Sequence, residues 1–533
     1  MTRVSDLGQS EGLNRKLNAL LMRAHKRAES DRDSLLQDTF VPVYPMNVLL
    51  ENAESQILYG RRGTGKTHSL KHLGSIKESA GHIAIFADLR TAGSSTDIYN
   101  DPNLSLAPRA TALLVDVIEI IHNGIYELLF AGDARLSEDT ERVATALDAL
   151  FAASARIEVI GEVESETAEN TEDEHSRDKQ TNTSLSSSGV SIGAKDTHRL
   201  RTRRATSNRR LARGSERYHI IFGDLSRAVR DVLDVVAPAQ IWLLLDEWSS
   251  IPLELQPFLA DMLRRNMFTA RGFVVKIGAI ERRSNFAITG SSGDYIGIEL
   301  GADTSASLDI DKYLFFDNER TAVEEFFGDV LYKHVTALLL EMNREFAIPR
   351  DRFIGLAFAD RVAFARLVSA SEGVPRDALN LAGLAASVAG NKAISQSNVY
   401  AAARTFFRTD KERKLTPQAA ELLNHIIDRC VEGSNRVVAL DVSGQANTAV
   451  VEELYDQRML HRRAQGVAID PSKFSQKFDI YTVDFGAFVD LIAKGDIRAV
   501  DDGLHRLGLV GGTGDVRIQS AWFVRVSWRD RWR

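Results

Sequence analysis

Hydrophobic positions near the amino terminus fall at helical spacing only over Leu13 to Ala24, so residues 1–40 read as a helical leader packed on something later in the chain. After Pro42 and Pro45, a short apolar strand, Gln56 to Tyr59, runs directly into a glycine-rich turn. A helix predicted over His68 to Ile76 and a buried strand over His82 to Leu89 come next, which is the opening of a parallel α/β sheet. Leu113 to Phe130 and Asp139 to Ala153 return to helical spacing, and the stretch 91–236 around them reads as an insertion before the next strand. The alternation resumes with a helix from Phe222 to Val236 and a continuously apolar strand from Ile241 to Leu245. A helix from Pro257 to Met267 and a strand from Phe273 to Ile280 complete it. From Arg320 to Arg408 the pattern is mainly helical, and domain boundaries are predicted near 318 and 412.

Within the insertion, residues 158–217 break the pattern. Acidic residues (Glu162, Glu164, Glu166, Glu169, Glu172, Asp173, Glu174) give way to Ser and Thr, then to Arg199, Arg201, Arg203, Arg204, Arg209, Arg210 and Arg213. Few apolar side chains are present to offset the entropy of ordering, so a mobile loop or an extended hairpin is expected there. The carboxyl-terminal stretch, 413–533, alternates helix (Thr416 to Cys430), strand (Val437 to Val442), helix (Thr448 to Leu460) and strand (Ile480 to Asp484), the order of a winged helix.

Composition narrows the class. A chain of 533 residues with 44% hydrophobic and 26% charged residues is large enough for several cores. The single cysteine, Cys430, excludes an intrachain disulfide framework and any zinc-cysteine cluster. No apolar run reaches the roughly 18 residues of a membrane span, and charges occupy the place of a signal-peptide core, so a soluble cytoplasmic protein is expected. A net charge of −7 confines any nucleic-acid site to a local patch.

The strongest chemical signal is Gly60-Arg61-Arg62-Gly63-Thr64-Gly65-Lys66-Thr67, which fits G-x-x-x-x-G-K-[ST] between a strand and a helix. Its glycines allow a turn that aims successive N–H groups at phosphates, where the next helix presents its positive end. Lys66 adds a charge toward the β- and γ-phosphates, and Thr67 offers a hydroxyl to magnesium. Arg61 and Arg62 read as solvated turn residues within this cofactor-binding segment, and His68 stands at the head of the helix. The second signal is the apolar strand ending in Asp246-Glu247, whose carboxylates would emerge where open α/β sheets bind ligands. Asp246 is expected to hold magnesium, and Glu247 to take a proton from attacking water. ATP is preferred over GTP by elimination, since no N/T-K-x-D element is present.

Further motifs resemble a known family. The strand Phe273 to Ile280 with Glu281-Arg282-Arg283 stands at the position of the sensor strand in AAA+ ATPases. Glu372-Gly373-Val374-Pro375-Arg376-Asp377-Ala378-Leu379 resembles the G-x-P-R-x-A-L lid signature of the origin recognition complex family and of the related STAND ATPases. The resemblance implies a P-loop AAA+ α/β core (41–318), a helical lid (319–412) and a winged-helix-like domain (413–533). It also implies that Arg376 reaches the γ-phosphate from the lid. The sensor strand ends in Ala279-Ile280-Glu281 rather than in a polar residue, and Arg282 or Arg283 could serve as a sensor, as a finger into a neighbouring subunit, or as surface charge.

The resemblance implies two functions. One is an ATP-binding and ATP-hydrolysing switch that couples nucleotide state to DNA binding. The other is a STAND-like signalling or assembly ATPase, of the kind found in bacterial antiphage defence, with a protein partner or a homo-oligomer. Against DNA, the predicted recognition helix carries Glu452, Glu453 and Asp456, whereas His461, Arg462, Arg463 and the tail (Trp522, Arg525, Trp528, Arg529, Arg531, Trp532, Arg533) supply local positive charge.

Overall fold

The computed structural model describes residues 4–24, 33–91, 101, 103–136, 139–163, 216–289, 295–305, 307–314, 320–341, 348–441, 448–468, 477–497 and 524–526. Its strands, in chain order, are β1 (Gln56–Tyr59), β2 (Ile83–Asp88), β3 (Glu158–Val163), β4 (Glu216–Ile221), β5 (Ile241–Asp246), β6 (Phe273–Ala279), β7 (Ala287–Thr289), β8 (Tyr295–Gly297), β9 (Leu308–Asp309), β10 (Val437–Asp441), β11 (Leu460–Ala468), β12 (Lys477–Val483) and β13 (Val524–Val526).

Five of these form a parallel sheet in the order β2-β5-β6-β1-β9. The unbroken apolar run of β5 is explained by cover on both faces. Ile241, Leu243 and Leu245 join one core with the helices Leu106–Phe130, Thr140–Ser154 and Leu225–Val236, while Trp242 and Leu244 meet Leu70 and Leu73 of the helix Lys66–Ser79 on the other face. The helix Leu106–Phe130 therefore belongs to the cover of the sheet: Leu113, Leu114, Val117 and Ile118 are fully buried in the same core as β2 and β5. This part of the stretch read as an insertion is the crossover between two parallel neighbours, which must traverse one face of the sheet.

The hairpin expected within 158–217 is present at its base, where β3 and β4 pair antiparallel from Glu158 opposite Ile221 to Val163 opposite Glu216. The arginine run and most of the acidic run lie outside the described residues, as does the tail apart from β13, which pairs with β10.

The helices Arg320–Glu341, Arg350–Ala357, Arg361–Ser371, Pro375–Ala389 and Gln396–Phe406 form the helical unit. The leader helix Val4–Arg23 docks on it, burying Leu17 and Leu21 while Asn18 Nδ2 donates to the carbonyls of Gly390 and Lys392 at 2.8 and 2.9 Å. The carboxyl-terminal module consists of the helices Pro417–Glu432 and Thr448–Asp456 and a sheet in the order β11-β12-β10-β13. Its apolar core is continuous with that of the helical unit through Phe406, Phe407, Phe485 and Phe488. The second helix stops at Asp456 instead of continuing to Leu460, because Arg458 adopts a left-handed φ of 60° and turns the chain into β11. Cys430 is a buried free thiol within this core. Among the described residues, no helix is long and apolar enough to cross a membrane.

Candidate functional site

Parallel pairing brings the carboxyl ends of all five strands to one edge: Tyr59 lies opposite Ala279, Asp88 opposite Asp246, and Leu58 and Tyr59 opposite Leu308 and Asp309. The loop after β1 leaves this edge as a tight arch. Gly63 and Gly65 have φ of 89° and 103°, values that cost a side-chain-bearing residue dearly, and Gly65 caps the helix Lys66–Ser79. A Cβ at Gly63 would stand 2.9 Å from Cβ of Arg376, so the helical unit rests directly on the arch, and the Arg376 N–H donates to the Gly63 carbonyl at 3.2 Å.

Lys66 is buried, and its Nζ donates to the carbonyls of Gly60 at 2.7 Å and Arg61 at 3.1 Å. Burial lowers its pKa, a shift opposed by Asp246, Glu247 and Asp311. Thr67 Oγ1 donates to Asp246 Oδ2 at 2.5 Å, and the Glu247 N–H donates to Asp246 Oδ1 at 2.9 Å. Burial raises the pKa of Asp246, and the Thr67 hydroxyl and Lys66 ammonium oppose the shift. Gly278 on β6 leaves room for this carboxylate, since a Cβ there would fall 2.7 Å from Asp246 Oδ1. Glu247 itself sits at φ 56°, ψ 39°, a left-handed conformation that a non-glycine residue keeps only when its surroundings impose it.

Beside them lies a cavity of about 340 Å³, lined by Arg62 through Ser69, Glu247, Arg90 and Arg376. A second wall comes from elements that sequence reasoning did not assign to the site: Thr39, Phe40, Val41 and Val43 before β1, and Phe326, Val330 and His334 on the helix Arg320–Glu341. No motif marks them, because a flat apolar wall requires only bulk. His68 lies between the walls: its Nε2 is 2.6 Å from the Leu36 carbonyl and its ring meets Phe40 edge-on. Burial lowers its pKa, so it is a neutral donor to that carbonyl.

The reading of Arg61 as a solvated turn residue is overturned, whereas Arg62 is exposed. Arg61 is 3% exposed, its main-chain N–H and Nε donating to Asp311 Oδ2 and Oδ1 at 2.9 and 3.1 Å. The guanidinium has left water because the helical unit and the carboxyl-terminal module cover the back of the arch with acceptors, the Glu372 carbonyl and His461 Nδ1. Arg282 and Arg283 do not line the cavity; Arg282 pairs with Asp479 and Arg283 with Asp456, both in the carboxyl-terminal module. Two of the acids of the helix Thr448–Asp456 are engaged: Asp456 with Arg283, and Glu453 accepting from the Thr416 N–H and hydroxyl at 2.6 and 2.8 Å. His461, Arg462 and Arg463 lie on β11, His461 fully buried and Arg462 paired with Glu281.

Two protein oxygens, on Thr67 and Asp246, stand together beside the arch, and among the described residues no group of three or more His, Cys, Asp or Glu could hold a metal ion. Such a sparse oxygen set suits Mg²⁺, which keeps several waters and is usually bound through one or two carboxylates plus substrate phosphates.

Burial, and next to it the charge of Asp311, push the pKa of Asp309 at the edge of the sheet up to about 6. Its folded pKa lies above the 3.8 of the unfolded chain, so the folded form loses stability as pH rises from about 4 through 6. Asp309→Asn is expected to raise the melting temperature relative to the unaltered chain at pH 7.5, by the equivalent of about 3 kcal/mol, and to lose most of that advantage at pH 4.5. Parallel melting curves at the two pH values check this, and an equal shift at both would contradict it.

The sheet, arch, acidic strand end and helical unit resting on the arch define a parallel α/β protein with a glycine-lysine loop of P-loop pattern at the carboxyl edge of the sheet. No protein-family model matches the chain, and no curated protein matches it. Among solved structures, Cdc6p from Pyrobaculum aerophilum is similar at 11% identity over 88% of this chain and 99% of that one, with a TM-score of 0.32. A Walker-type ATPase of Pyrococcus abyssi is similar at 11% identity over 89% and 99%, TM-score 0.35. The ORC1 protein of Aeropyrum pernix, in complex with DNA, is similar at 13% identity over 89% and 98%, TM-score 0.31. At these identities and scores, nothing about ligands or partners passes from those proteins to this chain.

Proposed function

We propose that the chain is an ATP-binding and ATP-hydrolysing molecular switch of AAA+ type. The observation that carries this reading is the meeting, at one cavity, of a glycine arch with a buried lysine, a hydroxyl bonded to a buried aspartate, and a strained glutamate. In this reading, N–H groups of residues 63–67 and the Lys66 ammonium bind the phosphates, and Arg376 meets the terminal phosphate from the lid. The wall of Thr39 to Val43, Phe326 and Val330 takes the base. Thr67 and Asp246 would hold Mg²⁺, which supplies charge neutralisation on the phosphate oxygens when bound. Glu247 orients a water and takes its proton.

Lys66→Ala is expected to weaken ATP binding by two orders of magnitude or more, since a phosphate then faces the cavity without its ammonium. Titration with a fluorescent ATP analogue measures it, and unchanged affinity would remove the phosphate role from this arch.

For the partner, coupling to DNA and coupling to protein remain two readings, and one observation favours the protein. The helix that would read a groove spends Asp456 on Arg283 of the core and Glu453 on the Thr416 N–H and hydroxyl, so these two acids serve contacts within the protein, and neither they nor Glu452 suits a phosphate backbone. A STAND-like signalling or assembly ATPase fits such a self-docked module. Nucleotide-dependent oligomers in light scattering would support this reading, and an ATP-dependent shift of duplex or single-stranded DNA at low salt would reverse the preference.

A further inference from the structure

The arch is held from outside its own sheet at three successive residues. The Arg61 guanidinium donates through one terminal nitrogen to His461 Nδ1 at 2.5 Å and through the other to the Glu372 carbonyl at 3.1 Å. Arg458, at the turn into β11, donates to the Arg62 carbonyl at 3.3 Å, and Arg376 of the lid donates its N–H to the Gly63 carbonyl at 3.2 Å. We propose that Arg61 is a positioning residue through which the carboxyl-terminal module holds the phosphate loop in its binding shape, so that the affinity for ATP depends on His461, 400 residues away. This rests on the nucleotide reading above and adds what sets the strength of that site.

The chemistry supports a designed contact rather than an incidental one. A guanidinium cannot accept, so His461 Nδ1 must, and the ring proton stays on Nε2, which is 3.2 Å from Asp484 Oδ2. Burial, together with the nearby cations Arg61, Lys411 and Arg463, keeps the ring neutral against the pull of Glu372. Arg61 thereby has an acceptor for each face of its fork, with Asp311 taking both Nε and the main-chain N–H. That double hold fixes the backbone of residue 61 as well as its side chain. An arch containing three glycines is otherwise costly to order, and prior immobilisation by distant side chains removes that cost from nucleotide binding. The contact chain continues into the module, because the buried carboxylate of Glu372 accepts from Arg436 at 2.7 Å and Arg463 at 3.1 Å.

The test uses the full chain with His461→Ala, Arg61→Met and His461→Gln. The first two are expected to raise the Kd for a fluorescent ATP analogue about tenfold or more, with the single-turnover rate of the loaded protein changed less than about twofold. The double variant should be no weaker than the worse single one, since both remove the same contact. Gln at 461 offers an amide oxygen to Arg61 and should restore most of the affinity, which a loss of general stability would not allow. Wild-type affinity in both single variants, alongside loss in Lys66→Ala, overturns the proposal and leaves the nucleotide site standing. No binding by the unaltered chain removes both. A measurement without substitutions guards against misfolded variants: adding nucleotide should slow hydrogen exchange across 460–463, and unchanged exchange there overturns the proposal.

Discussion

Glu247→Gln is expected to lower steady-state ATP turnover by a factor of about 10²–10⁴ while leaving ATP affinity within a few-fold of the unaltered chain. Glutamine keeps the length and shape of the side chain and cannot take a proton from water. The position suits the substitution, because the backbone at residue 247 is imposed by its surroundings rather than by the side chain. Its carbonyl accepts from the Ser250 N–H at 2.8 Å and hydroxyl at 2.6 Å, and its N–H is held by Asp246. A left-handed φ at a non-glycine residue costs of order 1–3 kcal/mol, and here it turns the carboxylate into the cavity beside Lys66. Turnover measured by phosphate release, with binding measured separately, decides the matter. Unchanged turnover would take the proton-accepting role away from Glu247.

The second large effect concerns stability. Arg436→Met is expected to destabilise the protein by about 3 kcal/mol, the scale for removing one partner of a buried ion pair. Glu372 is 4% exposed and Arg436 3% exposed, so the carboxylate left behind has little access to water. Burial alone would raise the pKa of Glu372, but the guanidinium groups of Arg436 and Arg463 outweigh it and hold it below the usual 4.5. A depressed folded pKa contributes stability that is present above the unfolded value and is lost as pH falls through the folded one. The gap between the unaltered chain and Arg436→Met should therefore be widest near neutrality and narrow below about pH 4. Denaturant titrations at pH 7 and pH 3.5 measure it, and a gap independent of pH would assign the loss to packing instead.

Both effects start from residues whose importance is unequally visible in the sequence. Asp246 and Glu247 end an apolar run of five residues, and the glycine-lysine motif succeeds another apolar strand, so their neighbourhood at the sheet edge is legible from periodicity alone. Glu372 and Arg436 are 64 residues apart with no spacing to connect them. The same holds for the second wall of the cavity, where Phe40 and Phe326 are unremarkable apolar residues until the leader and the helical unit fold across the arch.

By itself, the sequence determined the parallel sheet, the glycine arch, the acidic strand end and the helical character of residues 320–408, because each is written in consecutive residues: unbroken apolar runs for buried strands, a glycine-lysine motif for the arch, and helical spacing for the rest. Only the tertiary structure decided that Arg61 is buried while Arg62 is exposed, that Arg282 and Arg283 hold Asp479 and Asp456, and that Glu453 and Asp456 serve internal contacts. It also decided that the helix Leu106–Phe130 covers the sheet. A charged side chain takes its role from the surface that comes to cover it, and here that surface arrives from hundreds of residues away, where no local pattern can announce it.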